Sequence, residues 1–217
     1  LTCYNQSMPS KNTIKIFEHD GYYHVYNRGV NKSIIFRDEV DYAAFIRRLQ
    51  LMLFPPQKAA KLQHTSNRIR INNYYGEVQL LAFCLMPNHF HMILGQNKAD
   101  GITEFMRTLC TSYSMYFNLR HKRIGPLYQG RFKAATISDD AYFIHLSRYV
   151  HNNPIHLTSD IFTYEYSSLQ YYFNDTNQTE WLKTDILEQQ FKNKTEYYEF
   201  IKNMPEIKKE EKQYSLD

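Results

Sequence analysis

The sequence has little sulfur chemistry to offer. Cys3, Cys84 and Cys110 are its three cysteines; they are widely spaced and form no CxxC pair, which argues against a disulfide framework and against a cysteine zinc site. None of the nine histidines opens an HExxH, so the signature of a zinc hydrolase is missing. No segment approaches the run of about 20 apolar residues that a membrane helix needs. Residues 1–20 lack the apolar centre of a secretory signal, and a soluble, cytoplasmic protein is expected. Internal repeats and low-complexity tracts are missing too. From Phe105 to Ser138 one sign of charge is also missing: Arg107, Arg120, Lys122, Arg123, Arg131 and Lys133 are there, without a single acid. The net charge is only +4, so this basic strip is a local feature. It suits a polyanion-binding surface, although a solvated helix face gives the same pattern.

What is present supports one domain with a well-buried core, since 43% of the 217 residues are hydrophobic. The 19 Tyr and 14 Phe mostly serve that core. Residues 22–28 read as a strand ending at Gly29. Asp38 is placed to cap a helix carrying Val40, Ala43, Ala44, Ile46 and Leu49 on one face, stopped by Pro55 and Pro56. The polar stretch from Gln57 to Asn73 reads as a loop or lid. Val78 to Met86 and His89 to Gln96 form a hairpin around Pro87 and Asn88. Residues 102–123 have helical spacing at Ile102, Phe105, Met106, Leu109, Tyr113 and Tyr116, and residues 131–137 read as a strand. Ser138 or Asp139 caps a helix running to Asn153, where Pro154 ends it. This order predicts an α+β fold, an antiparallel sheet with helices packed on it. Residues 1–19 read as a lead-in, 20–160 as the main domain, and 161–217 as an aromatic extension with helices over 181–192 and 195–204.

The stretch "LMPNHFHMIL" raises the functional question. On a strand, residues i and i+2 share a face, so His89 and His91 present two imidazoles side by side while Phe90 points away. With nine histidines in the chain, an HxH pair also arises readily by chance. The helix from Asp139 places Tyr142, Phe143, Leu146 and Val150 on one apolar face, with Tyr149 at its edge and Asn153 one turn further on. Asn153 either completes a metal site with its carbonyl oxygen or caps the helix end.

Four motifs, "YYHVYNRGVNKSIIF", "LMPNHFHMIL", "GPLYQGRFKA" and "SRYVHNNPI", resemble in content and order those of transposases of the HUH single-tyrosine class, above all the REP-associated tyrosine transposases. The resemblance spans about residues 20–160 and implies a ferredoxin-like HUH nuclease core. His89 and His91 match the pair that holds a divalent cation, Tyr149 the nucleophilic tyrosine, and Asn153 a position that completes the metal site. His151 is assigned no role. Tyr113 and Tyr116 are rival nucleophiles by residue type, though their periodicity favours the core. The implied reaction is cleavage and rejoining of single-stranded DNA carrying a hairpin, with Mg²⁺ or Mn²⁺, through a 5′-phosphotyrosine link. His145, one turn before Tyr149, is a weaker candidate for assisting deprotonation. Arg120, Lys122, Arg123, Arg131 and Lys133 would hold phosphates, and Tyr128 and Phe132 would stack on unpaired bases. Lys58, Lys61, Arg68 and Arg70 of the 57–73 stretch would add backbone contacts. The alternative is a domesticated nucleic-acid-binding module without turnover. A homodimer is left open.

Overall fold

Strand β1 (Tyr22–Arg28) lies between β3 (His89–Gln96) and β4 (Lys133–Thr136), and β2 (Val78–Met86) flanks β3, giving an antiparallel sheet in the order β2-β3-β1-β4. The structure is a computed structural model that describes residues 17–63, 71–173 and 180–203. The central strands are buried on both faces because each face receives its own layer. Tyr23, Val25, Phe83, Leu85, Phe90 and Met92 face helices α1 (Glu39–Leu53) and α3 (Gly101–Arg120). Ala82, Cys84, Met86 and Ile93 face α4 (Asp140–Asn152) and the segment that follows it. This is the expected α+β architecture.

A bulge in β2 sets the register of the second face. Leu80 pairs with Leu94, but Ala82 pairs with Ile93, so one extra residue is taken up between them. Beyond that point Cys84 stands opposite His91 and Met86 opposite His89. A bulge bends the strand and re-aims its side chains, and here it turns the consecutive Leu81 and Ala82 into the same, second core.

Helix α1 begins where Asp38 accepts a hydrogen bond from the Asp41 backbone N–H. Its buried stripe is Tyr42, Phe45, Leu49 and Met52, not the stripe through Val40 and Ala43, and Val40 is left exposed. The rotation follows from area: aromatic and long aliphatic side chains gain about 1.5–3 kcal/mol each on full burial, far more than alanines. The 57–73 stretch is not wholly a loop, since α2 (Pro56–Gln63) occupies its first part. Pro56 starts that helix; a proline in the first turn forfeits no intrahelical hydrogen bond. The remainder of that prediction, with Arg68 and Arg70, falls on residues 64–70, outside the described residues. Lys58 lies over the Phe54 ring and near Glu180.

Helix α3 stops at Arg120, three residues before the expected end, and Lys122 turns into the left-handed region at φ 50°. Helix α4 is capped by Asp139, which accepts from the Tyr142 N–H. Asn153 keeps helical dihedrals and leads straight into a 3₁₀ turn, Asn153–His156. Pro154 does not push it out of the helical region, and at the start of the 3₁₀ turn the missing proline N–H forfeits no hydrogen bond.

The segment after α4 closes the open edge of β2. Leu85 N–H donates to the Tyr166 carbonyl, Ser168 N–H to that of Phe83, and Lys183 N–H to that of Leu80, so the edge is not left to pair with another chain. Trp181 is buried against Phe83 and Tyr171. This explains why residues 181–192 hold only the short α6 (Asp185–Glu188): their first part is drawn out along the sheet. Helix α7 (Lys194–Lys202), capped by Asn193, packs Tyr197 and Ile201 into the second core, alongside Leu169 and Tyr172 of α5 (Leu169–Phe173).

Candidate active site

Side chains from three elements, β1, β3 and α4, meet on the α4 face of the sheet. Antiparallel partners point the same way, so the pairings Tyr26 with His91 and Arg28 with His89 put all four on one face. His24 joins them two residues along β1. From the helix, Tyr149 stands edge-on to His91, with ring centroids 5.3 Å apart and planes at 86°. It is also 6.0 Å from the His24 ring. Asn153, one turn on, brings its Oδ1 to 3.2 Å from His89 Nε2, while its Nδ2 faces the Tyr149 carbonyl at 3.4 Å.

The surroundings of the two histidines differ. His89 is half-buried at the start of β3, its Nδ1 2.6 Å from Asn88 Oδ1. His91 is fully buried, its Nδ1 2.8 Å from His24 Nε2. Burial pushes the His24 imidazole down to about 3. Burial first, and then the neighbouring His24 and His89, holds His91 well below the usual histidine range. Both inner rings are therefore neutral at physiological pH.

The donor set fits a divalent cation. His91 Nε2 is buried with no hydrogen-bond partner among the described residues, His89 Nε2 faces an amide oxygen, and neutral imidazole nitrogens with an amide oxygen are ordinary ligands for Mn²⁺. Mg²⁺ favours an all-oxygen shell. Among the described residues no cluster of three or more His, Cys, Asp or Glu side chains has metal-binding geometry, so a third protein donor here would have to be an amide.

The rival tyrosines lie elsewhere. Tyr113 is buried in the opposite layer, donating to the Ile35 carbonyl at 2.6 Å, and burial drives its phenol far above the ordinary value. Tyr116 donates to the Val40 carbonyl. Neither faces the His91 side of the sheet. His145 is exposed, and its Nδ1 accepts from Arg148 at 2.9 Å.

The basic strip is divided. Arg120 is committed to Asp38 and Asp41 at 2.6–2.8 Å, and His121 lies 2.9 Å from the same buried Asp41. Arg123 closes the loop after α3 on Asn118 and the Pro126 carbonyl. Tyr128 and Phe132 are buried in the first core, so their faces are not presented to solvent. Lys122 and Arg131 are exposed. Lys133 pairs with Tyr26 on the edge strand and so shares the His91 face. The loop carrying Arg131 lies beside the end of β1, since Gln129 N–H donates to the Arg28 carbonyl and Asn27 Nδ2 to that of Gly130.

The sequence reading assigned nothing to His24, Tyr26 or Asn88. Tyr22, His24 and Tyr26 alternate with the core residues Tyr23 and Val25 along β1, and that alternation was the available signal. His151, left without a role, is fully buried between Tyr197 Oη at 2.7 Å and Ser168 Oγ at 2.8 Å.

The chain was compared with known proteins. Among curated proteins none matches it. The fold is similar to that of a REP-associated tyrosine transposase solved bound to a REP hairpin: 12% identity, TM-score 0.51, 77% of this chain and 87% of the other. A candidate transposase from Deinococcus radiodurans R1 is more distant, at 16% identity and TM-score 0.38 over 64% of this chain and 94% of the other. Residues 59–153 match the family model described as "Transposase IS200 like". That range, a little under half of the chain, contains His89, His91, Tyr149 and Asn153 but leaves out β1.

Proposed function

We propose that the protein cleaves and rejoins single-stranded DNA through Tyr149, with a divalent cation held by His89, His91 and Asn153. The observation that carries this reading is the approach of the Tyr149 ring to the buried His91 ring of the same chain at 5.3 Å, with Asn153 Oδ1 against His89 one helical turn away. A phenol, two imidazoles and an amide oxygen thus come from β3 and α4 to one face of the sheet. The REP hairpin bound to the structural relative and the match of residues 59–153 to the IS200-like transposase model both favour DNA as the substrate.

The cation, Mg²⁺ or Mn²⁺, would supply Lewis-acid stabilisation of charge on a non-bridging phosphate oxygen. The other parts of the reaction fall to the chain. Helix α4 would hold the Tyr149 phenol beside the His91 ring, so that attack on phosphorus becomes an oriented, intramolecular event. The new bond is Tyr149 Oη to phosphorus and the broken one is phosphorus to the 3′ oxygen; the phenol loses its proton and the departing 3′ oxygen gains one. The phosphate stays activated on the protein, and a later 3′-OH can reverse the exchange and reseal the strand. Exposed Lys122 and Arg131, with Lys133 on the His91 face, supply cations for neighbouring phosphates. A binding module without turnover would not require the phenol to stand against the histidine pair.

The test is a covalent-adduct assay. Labelled single-stranded DNA bearing a hairpin is incubated with the protein and Mn²⁺ and resolved on a denaturing gel. A protein-linked band is expected, lost in Tyr149→Phe and in His91→Ala. An adduct that persists in Tyr149→Phe refutes the nucleophile, and binding without any adduct favours the module.

A further inference from the structure

We propose that Asn88 and His24 are a matched pair of positioning residues, each accepting the Nδ1–H of one histidine so that both Nε2 lone pairs face the cation site. The inference rests on the reading of His89, His91 and Asn153 as cation ligands, and it concerns what orients them. A neutral imidazole has one N–H and one lone pair, and whichever nitrogen donates decides which is left to ligate.

For His89 the proton is assigned by two amides whose own directions are fixed. Asn88 Nδ2 donates to the Lys32 carbonyl at 3.1 Å. Its Oδ1 is therefore the atom 2.6 Å from His89 Nδ1, and an acceptor there requires Nδ1 to donate. At the other end Asn153 Nδ2 faces the Tyr149 carbonyl, which turns Oδ1 towards His89 Nε2 at 3.2 Å. A lone pair on nitrogen and a lone pair on oxygen then face each other, an arrangement that a shared cation relieves.

For His91 the argument runs through cost. One proton lies between His24 Nε2 and His91 Nδ1, 2.8 Å apart. Were it on His24, neutral His91 would carry its own N–H at Nε2, buried and without an acceptor among the described residues. Orphaned buried N–H groups are rarer in native structures than under-used acceptors. The proton therefore belongs to His91 Nδ1, His24 accepts it, and Nε2 is left as a lone pair. Register makes this possible: His24 stands opposite Ile93 and Tyr26 opposite His91, so His24 reaches His91 along the diagonal of one sheet face. Asn88 is held by the hairpin, where its carbonyl accepts from Gly29 N–H at 2.8 Å. Outer partners of this kind change metal affinity by about 10–100-fold when removed.

The experiment uses the full chain and Mn²⁺ alone. Two-dimensional ¹⁵N–¹H spectra of histidine-labelled, metal-free protein should give the Nδ1–H tautomer for both His89 and His91. Calorimetry should then find Mn²⁺ binding weakened about tenfold or more in His24→Phe and in Asn88→Ala. His24→Gln, which puts a carbonyl oxygen near the place of Nε2, should restore most of the loss. A wild-type His91 protonated at Nε2 would overturn the proposal. So would a His24→Phe variant that melts like wild type and binds Mn²⁺ equally well. If His24→Phe does not fold, the wild-type tautomers and the half-buried Asn88 position still decide. Wild-type protein that binds Mn²⁺ no better than His91→Ala would instead refute the ligand reading, while the spectra judge the tautomers separately.

Discussion

Replacing His151 with alanine tests how α4 is held. Its imidazole is fully buried, bonded to Tyr197 Oη of α7 at 2.7 Å and to Ser168 Oγ at 2.8 Å. Each lost hydrogen bond costs about 1 kcal/mol net, and the cavity left by a ring adds about 1–2 kcal/mol. Ser168 Oγ keeps the Phe83 N–H at 2.8 Å, so it is not orphaned and adds little more. His151→Ala should therefore lose about 3–4 kcal/mol of unfolding free energy, read from urea denaturation at neutral pH. The Tyr197→Phe variant removes one hydroxyl and isolates one of the two bonds. In a double-mutant cycle the pair should couple by about 1 kcal/mol. Additivity within about 0.3 kcal/mol would mean that the contact is not part of what holds α4.

Arg120→Ala should lower the melting temperature with little change in DNA affinity, because its guanidinium is occupied by Asp38 and Asp41. Arg131→Ala and Lys122→Ala should do the reverse. Anisotropy titrations on hairpin DNA at several salt concentrations should show the logarithmic salt slope falling by about 0.7 per lost contact if the phosphate lies on a single strand. Gly29→Ala should destabilise the protein in thermal melts, since a Cβ there would run into the Ser33 carbonyl and the Ile35 side chain. The Cys84 thiol is buried and its pKa is driven far up by desolvation. An ordinary thiol gains thiolate, and hence reactivity, as pH rises towards 9; native Cys84 should gain none. Iodoacetamide labelling followed by mass spectrometry should be slow at pH 7 and at pH 9 and rapid only in denaturant, and fast native labelling at pH 9 would count against the burial.

Much of this fold was legible because its signals are local. The Asp38 and Asp139 caps, the Pro87–Asn88 turn and the alternation of His89, Phe90 and His91 depend on neighbours a few residues apart. The stripe on α1 was misread because periodicity alone does not say which of two overlapping faces wins. Tyr42 and Phe45 outweigh Val40 and Ala43 only once a core exists to receive them. The start of the 181–192 stretch fails as helix for a similar reason, since Trp181 is worth more against Phe83 than in a helix of its own. At the site, His89, His91, Tyr149 and Asn153 were named from motifs that hold them a few residues apart. His24 could not be found that way. Its partner is 67 residues distant, and only the β1–β3 register brings the two rings together. The basic strip misled in the opposite sense: charge on paper said nothing of Asp38 and Asp41, which lie 82 and 79 positions before Arg120 and occupy it.

Under the proposed function, helix α4 gives the segment that follows it a part in the chemistry. Its front carries Tyr149 and Asn153 to the imidazole pair. Its back carries Arg148, His151 and Asn152, and each of these is tied to the C-terminal segment. Arg148 lies over the Phe200 ring at 4.3 Å, His151 bonds to Tyr197, and Asn152 Nδ2 donates to the Ile201 carbonyl at 3.1 Å. In-line attack loses rate steeply when the nucleophile is displaced by about 1 Å, and a lone amphipathic helix on a sheet face has sliding freedom of that order. Contacts on the back that are polar and directional remove that freedom better than apolar packing does, because a hydrogen bond weakens sharply with angle. The pattern from Arg148 to Asn153, with buried ties between the two proposed site residues, is what a helix requires if one turn is to be both held from behind and presented in front.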